Sequence, residues 1–483
     1  MNDETSGAFP TIPPEAGLPA LRAAQAMRRP IERFLHIEAA SGILLIIAAA
    51  AALVWANSPW AHSYESLWRT PFRIGIGEWT MEKSLHFWIN DLLMAVFFLV
   101  AGLEIKREMV HGALSDIRRA ALPLAAAIGG MLVPAVIYAS LNVTGPGAHG
   151  WGVPMATDIA FAVGVLMLLG KRVPPALRVL LLAFAVIDDL GAILVIAVFY
   201  SSGFAVDGLM LAAGGVFVMW LFGRMGVRPG ASLILPFLLI WAGLYRAGIH
   251  PTIGGVVMGL MVPARAWYGP LGFLRTAQKA MAEFEQKAEA GETGADLIGP
   301  LEEMRFAGRE AVSPVVRLEH QLHSWVAYGI MPIFALANAG VAVGGIDFSE
   351  PGALAVMSGV VLGLLVGKLV GVIGFSWVAV RLKLCVLPKG VNWNGMLVVA
   401  VAAAIGFTMA IFIAELAYGD PDLLAVAKLG VLVATAVAAA GALVLGRILL
   451  QAQPAEVADV GEGSVEATSE IWTGNHPAVG DAR

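Results

Sequence analysis

Runs of about twenty mostly apolar residues, each long enough to carry a helix across a hydrocarbon layer roughly 30 Å thick, recur along almost the whole chain. Twelve such stretches centre near Ile46, Val96, Ile128, Gly164, Leu190, Phe217, Leu239, Gly255, Ile333, Leu365, Ala403 and Ala436. The Gly-rich, Pro-interrupted pair around Leu239 and Gly255 is the hardest to count. Only 14% of the residues are charged, against about 25% in soluble domains. The pattern predicts an all-α polytopic membrane protein of about twelve transmembrane helices. The first run, Ile43 to Trp55, follows Arg28-Arg29-Pro30 as the apolar part of a signal peptide would. It lies far from Met1 and many spans follow it, so it reads as the first membrane helix. The single Cys385 excludes an intramolecular disulfide and a Cys/His metal site. The net charge of −5 says nothing about partners, because in a membrane protein the distribution of charge over the loops matters more than its sum. No nucleic-acid partner is expected.

Lys and Arg alternate between the loops in a way that a wrong span count would destroy. Basic loops hold Lys106, Arg107, Arg118 and Arg119, then Lys171, Arg172 and Arg178, then Arg224 and Arg228, then the segment from Arg265 to Arg317, then Arg381, Lys383 and Lys389. The intervening loops at 141–150, 201–208, 343–352 and 418–422 contain neither residue. By the positive-inside rule both termini are cytoplasmic and the number of spans is even. The first external loop departs from the rule, with Arg69, Arg73 and Lys83. The expected organisation is a cytoplasmic tail over residues 1–30, a transmembrane unit over 31–450 and an acidic, disordered tail over 451–483. Within the transmembrane unit, residues 264–316 form a charged cytoplasmic insertion. Glu283 and Lys287 stand four apart there, as on an exposed helix.

Against this apolar background the adjacent pair Asp188-Asp189 is the most informative feature. A charge at membrane depth costs at least about 2.5 kcal/mol, so two neighbours there ask for a cation, a proton or both. Other ionisable groups within apparent spans are Asp91, Glu104, Asp158, His250, Lys368 and Glu415, with Glu108, Glu319, His320 and His323 near the cytoplasmic ends. Asp91, Glu104, Glu108 and Glu415 have a plain alternative at span edges in headgroup water, and His250, before Pro251, has one as a structural hydrogen bonder. Asp158 and Lys368 lie several residues from any loop, and neither can be assumed to snorkel to water. Pro154 removes a helix hydrogen bond four residues before Asp158, and Thr157 offers a hydroxyl to the freed backbone, which predicts a discontinuous helix. Gly406 and Thr408 mark a similar weak point. There, packing through small residues is the alternative, since Gly359, Gly363, Gly367 and Gly371 recur along the Lys368 span. Two broken helices at membrane depth would leave facing ends, their N-termini suited to a carboxylate such as Asp158 and their C-termini to an ammonium such as Lys368.

At these residues the chain closely resembles the NhaA family of sodium/proton antiporters. The matching stretches are Asn90-Asp91-Leu92-Leu93-Met94-Ala95-Val96-Phe97-Phe98, Gly102-Leu103-Glu104-Ile105-Lys106-Arg107-Glu108, Ala156-Thr157-Asp158-Ile159-Ala160-Phe161-Ala162, Ile187-Asp188-Asp189-Leu190-Gly191-Ala192-Ile193, Leu318-Glu319-His320 and Ile405-Gly406-Phe407-Thr408-Met409. These motifs stand in the same order as in the family, and the resemblance covers about residues 31 to 450. The resemblance implies, as known properties of that family, twelve helices with an inverted repeat of three-helix units whose broken helices cross near the membrane centre. Those would hold Pro154 with Asp158, and Gly406. It further implies that Asp189 is the main ligand of sodium or lithium, that Asp188 is its partner and a contact of Lys368, and that Asp158 and Thr157 complete the site. Glu104, Glu108, Glu319, His320 and His323 would match the cytoplasmic cluster of the pH response. The expected cargo is sodium or lithium and protons, with no cofactor, in the cytoplasmic membrane of a bacterium. Family members commonly pair, so a homodimer is expected. The insertion at 264–316 is longer than the usual family loop and ends close to Glu319 and His323.

The chemistry suits that resemblance. Adjacent helix residues point about 100° apart, so one aspartate can face an ion while the other faces Lys368. The donors available are all oxygens, which hard cations prefer. An intramembrane aspartyl protease needs its two carboxyls on facing helices sharing a proton. Asp158 and Asp189 could face each other, but no Gly-x-Gly-Asp element is present. A carboxylate-lined cation channel is the alternative reading, and Lys368 counts against it because an ammonium obstructs a cation pore.

Overall fold

The computed structural model describes residues 39–450 except 77, 78, 202, 228, 229 and 293. The two tails expected at 1–30 and 451–483 lie outside the described residues. The helices are α1 (Ala39–Ala56), α2 (Ala61–Arg69), α3 (Leu85–His111), α4 (Ile117–Leu141), α5 (Ala148–Met167), α6 (Pro175–Phe199), α7 (Val206–Arg224), α8 (Ile234–Ala247) and α9 (Ile253–Met261). After them come α10 (Gly269–Glu289), α11 (Ala295–Glu310), α12 (Pro314–Gly345), α13 (Ala353–Arg381), α14 (Trp393–Ala403), α15 (Phe407–Ala417) and α16 (Pro421–Leu449).

All twelve predicted centres fall on helices, but length alone supports fewer crossings. Among the described residues, eight helices are long and apolar enough to span by themselves, or ten if the bent pairs α1–α2 and α14–α15 each count as one. The shortfall lies at α8 and α9, of 14 and 9 residues. Gly248 ends α8 in the left-handed conformation at φ 80°, which favours a residue without Cβ. Pro251 follows before α9 begins.

The loop expected to be the first external one holds a two-stranded antiparallel pairing, β1 (Pro71–Ile76) with β2 (Trp79–Ser84), which the spacing did not reveal. The three basic residues that broke the charge rule each have a partner here. Arg73 bonds Glu82 across the hairpin, Arg69 lies 3.6 Å from Glu65, and the Lys83 ammonium sits over the rings of Phe87 and Tyr245. In the insertion, α10 packs against α11, and Lys287 reaches Glu283 at 2.9 Å. That partly exposed pair holds the Glu283 carboxyl below its ordinary range and the Lys287 ammonium above its own.

The core is set by two three-helix units of one plan, a long helix, an interrupted helix and another long helix: α4, α5 and α6, then α13, α14–α15 and α16. Their leading helices α4 and α13 pack backbone to backbone. Gly129 and Gly371 lie so close that a Cβ on either would run into the other's carbonyl, while Gly363 and Gly367 abut Pro154 and Pro134. Three helices carry a wider π-turn, at Trp88–Leu93, Val326–Ile330 and Gly363–Gly367, the last directly before Lys368.

Candidate functional site

Both interruptions form where the sequence weakens the helix. In α5 the first half, Ala148–Met155, is a tight 3₁₀ stretch containing Pro154. Extended backbone at Ala156 and Asp158 follows, and a regular helix resumes at Ile159. In the second unit, α14 stops at Ala403 and α15 starts at Phe407 with a 44° change of direction. Gly406 serves both roles that its sequence context suggests. It sits in the break, and a Cβ there would lie 3.1 Å from the carbonyl oxygen of Ala156 in the other interrupted helix.

The two breaks cross in contact. The Asp158 amide donates to the carbonyl of Ile405 at 2.7 Å, and the Thr157 hydroxyl donates to that of Ala403 at 2.9 Å. Asp158 is the N-cap of the second half of α5, its Oδ1 accepting from Phe161 N at 3.0 Å. Its Oδ2 accepts from Thr408 N at 3.1 Å and from the Thr408 hydroxyl. One carboxylate therefore caps two facing helix N-termini, each carrying roughly half a positive charge. At the opposed C-terminal end, Lys368 acts through an intermediary. Its ammonium donates to Thr157 Oγ1 at 2.8 Å, and the Thr157 hydroxyl passes the polarity to the end of α14.

Lys368 also donates to Asp188 Oδ2 at 2.8 Å, with both side chains fully buried. Removing either partner of such a pair leaves an uncompensated buried charge. Asp189, only 3% exposed, differs from both other acids: among the described residues it has neither hydrogen bond nor ion pair. Asp158 and Asp189 together line a narrow cavity of about 70 Å³ whose walls include Glu104, His323, Met331 and Met409.

Beyond Glu104, two of the expected cytoplasmic acids, Glu108 and Glu319, meet at Arg107, whose place in the sequence marks it only as a loop charge. Arg107 bonds Glu319 and lies 3.2 Å from Glu108, and Glu108 also accepts from Ala113 N at 2.9 Å. His323 lies 3.8 Å from Glu104. His320 points to solvent and makes none of these contacts.

A buried carboxyl without a counter-charge, beside a locked lysine–aspartate pair where two interrupted helices cross, defines a membrane carrier of small cations. The chain belongs to the Na+/H+ antiporter 1 family, whose model matches residues 32–445. It is 54% identical over 458 residues to the "Na(+)/H(+) antiporter NhaA 2" of Sorangium cellulosum, covering 94% of this chain and 98% of the relative. To the protein of the same name from Myxococcus xanthus it is 55% identical over 468 residues, 96% and 98% of the two chains. To the "Na(+)/H(+) antiporter NhaA" of Janthinobacterium sp. it is 51% identical over 410 residues, 85% and 90%.

Proposed function

We propose that the chain exchanges sodium or lithium ions for protons across the bacterial cytoplasmic membrane, with Asp189 as the carboxyl for which the cation and the proton compete. The observation that carries this reading is the distribution of compensation in the core. Asp158 is matched by two helix N-termini and Asp188 by Lys368, which leaves the Asp189 carboxyl alone. Competition for one alternately exposed carboxyl is sufficient for exchange. Thr157 and Asp158 have their polar atoms engaged by the crossing, so their part is to hold the site's shape and lend oxygen when it rearranges. Should the Asp188–Lys368 pair open as the cation binds, each cycle moves more protons than cations and so moves charge.

Glu108 and Glu319, joined by Arg107, together with the neighbouring Glu104 and His323, form the pH-responsive entrance, since histidine titrates near neutrality. The alternation of Lys and Arg between loops supports cytoplasmic termini, with residues 264–316 on the same side. No cofactor is needed, and pairing as a homodimer rests on the family's habit. A cation channel is disfavoured by the Lys368 ammonium at the crossing.

The test is proton movement in proteoliposomes of purified protein with a trapped pH dye, on adding sodium, lithium or potassium from mildly acidic to alkaline pH. Dequenching by sodium or lithium but not potassium, absent in Asp189→Asn, is expected. Sodium-dependent proton movement that persists in Asp189→Asn would overturn the site.

A further inference from the structure

Near the far end of the helices that line the exchange site lies a second lysine–carboxylate pair that the exchange reading does not use. Lys428 of α16 reaches Glu415 of α15 at 2.5 Å. His86 Nε2 lies 3.6 Å from the same carboxylate and 3.0 Å from Asn338 Oδ1, and Asn338 in turn donates to Asn90 at 2.8 Å. Both side chains of the pair are mostly buried, at 12% and 15% exposure. His86 and Glu104 stand at opposite ends of α3, eighteen positions and so roughly 27 Å apart. This cluster and the Arg107 cluster therefore lie toward opposite ends of α3.

Three helices present the same order of side chains between the two sites. On α12, Met331 lines the cavity beside Asp189, Phe334 follows, and Asn338 ends the series. On α15 the order is Met409, Phe412 and Glu415. On α3, which runs the other way, it is Ala101, Phe98 and Asn90. Phe412 packs on Phe98 and Phe334 with ring centroids 5.6 and 6.2 Å apart, and all three rings are buried. A buried aromatic layer, against which His250 also packs on Phe412, thus separates the two polar layers. Thr408, which holds Asp158, and Glu415 are seven residues apart on one helix, about two turns. Past the aromatic layer, a cavity of about 220 Å³ lined by Tyr64, Glu65, Pro421 and Lys428 gives the ammonium access to the surface, where Glu65 is exposed.

We infer that Glu415 is an outer station for the transported monovalent cation, where the Lys428 ammonium holds the carboxylate whenever the cation does not, with Phe98, Phe334 and Phe412 as the partition between that station and Asp189. The ammonium is a tethered monovalent cation and competes with a free one for the same oxygens. Removing the carboxylate and removing the competitor must then act in opposite directions, and on one face only.

This inference rests on the exchange reading, and the experiment separates the two. Half-saturating sodium is measured with the gradient applied from each face, in right-side-out and inside-out vesicles. Glu415→Gln is expected to raise it at the His86 face by about fivefold, and Lys428→Met to lower it there by about threefold, the size of change a partly screened charge pair can produce. Neither alters the value at the Glu104 face. A purely structural pair would weaken both faces alike, or move both variants in one direction, and either result overturns the outer station. If a single variant does not accumulate, the double variant E415Q/K428M leaves no unpaired charge and carries the test. It should raise half-saturating sodium at the His86 face alone, and equal values on both faces would overturn the inference. Absence of any sodium response in the unaltered protein would instead sink the exchange reading.

Discussion

The two three-helix units share one plan and divide the charge between them. The first contributes every carboxylate at the crossing, Asp158 from its broken helix and Asp188 and Asp189 from α6. The second contributes the ammonium of Lys368, the carbonyls of Ala403 and Ile405, and the amide and hydroxyl of Thr408. A symmetric backbone thus carries an asymmetric chemistry. Because acid and base come from different units, any displacement of one unit against the other alters the Lys368–Asp188 pair. That links conformation to protonation without a separate transmitting element.

The largest effect is expected at Asp189, the one crossing acid that the second unit leaves without a partner among the described residues. Asp189→Asn should reduce exchange below detection while leaving the detergent melting temperature unchanged or higher, because an uncompensated buried charge has been removed. A matching fall in melting temperature would mean that Asp189 has a structural partner. Next comes the pair that joins the units: Lys368→Ala should cost about 3–5 kcal/mol of stability as well as transport, since Asp188 is left unpaired. The double variant Lys368→Met/Asp188→Asn should recover most of the melting temperature and none of the transport. A third test is Thr408→Val, which removes the hydroxyl on Asp158 at a cost of about 1–3 kcal/mol. Retained stability would show that the Thr408 amide alone satisfies that oxygen.

A smaller effect is expected at the entrance. His323→Ala should shift the pH threshold of exchange and His320→Ala should not, because only His323 reaches Glu104; identical shifts would place both in one network. Smallest of all, Glu283→Gln should leave the melting temperature where it is. The pair with Lys287 is a solvated surface contact that depresses the carboxyl, so what it adds is present above the ordinary carboxylate range and lost as acid protonates Glu283.

Much of this arrangement was legible in the residues. Pro154 and Gly406 mark the interruptions because the first lacks an amide hydrogen and the second a side chain, both local properties. Asp158, Asp188, Asp189 and Lys368 stand out because charge in an apolar run is costly wherever the helices go. What was not legible depends on contacts distant in sequence. The turn that ends α8 shortens two predicted spans to lengths that hydropathy does not separate. The π-turn before Lys368 has no compositional mark. Arg107 read as one more loop cation, because nothing nearby in the chain announces Glu319, more than two hundred positions away. The strands at Pro71–Ile76 and Trp79–Ser84 were hidden by their own charges, among them Arg73, whose partner Glu82 lies on the facing strand.

The contact of Gly129 with Gly371 bears on how such a molecule can tolerate its own motion. Where side chains interlock, sliding one helix past another requires each tooth to leave its groove, and the steps are as large as the teeth. Two bare peptide surfaces have no teeth. They behave as a plain bearing, which can turn by small angles at low cost but accepts no added thickness. A single methyl group at either glycine would act there as grit, spoiling the fit of moving parts while leaving every charged residue in place.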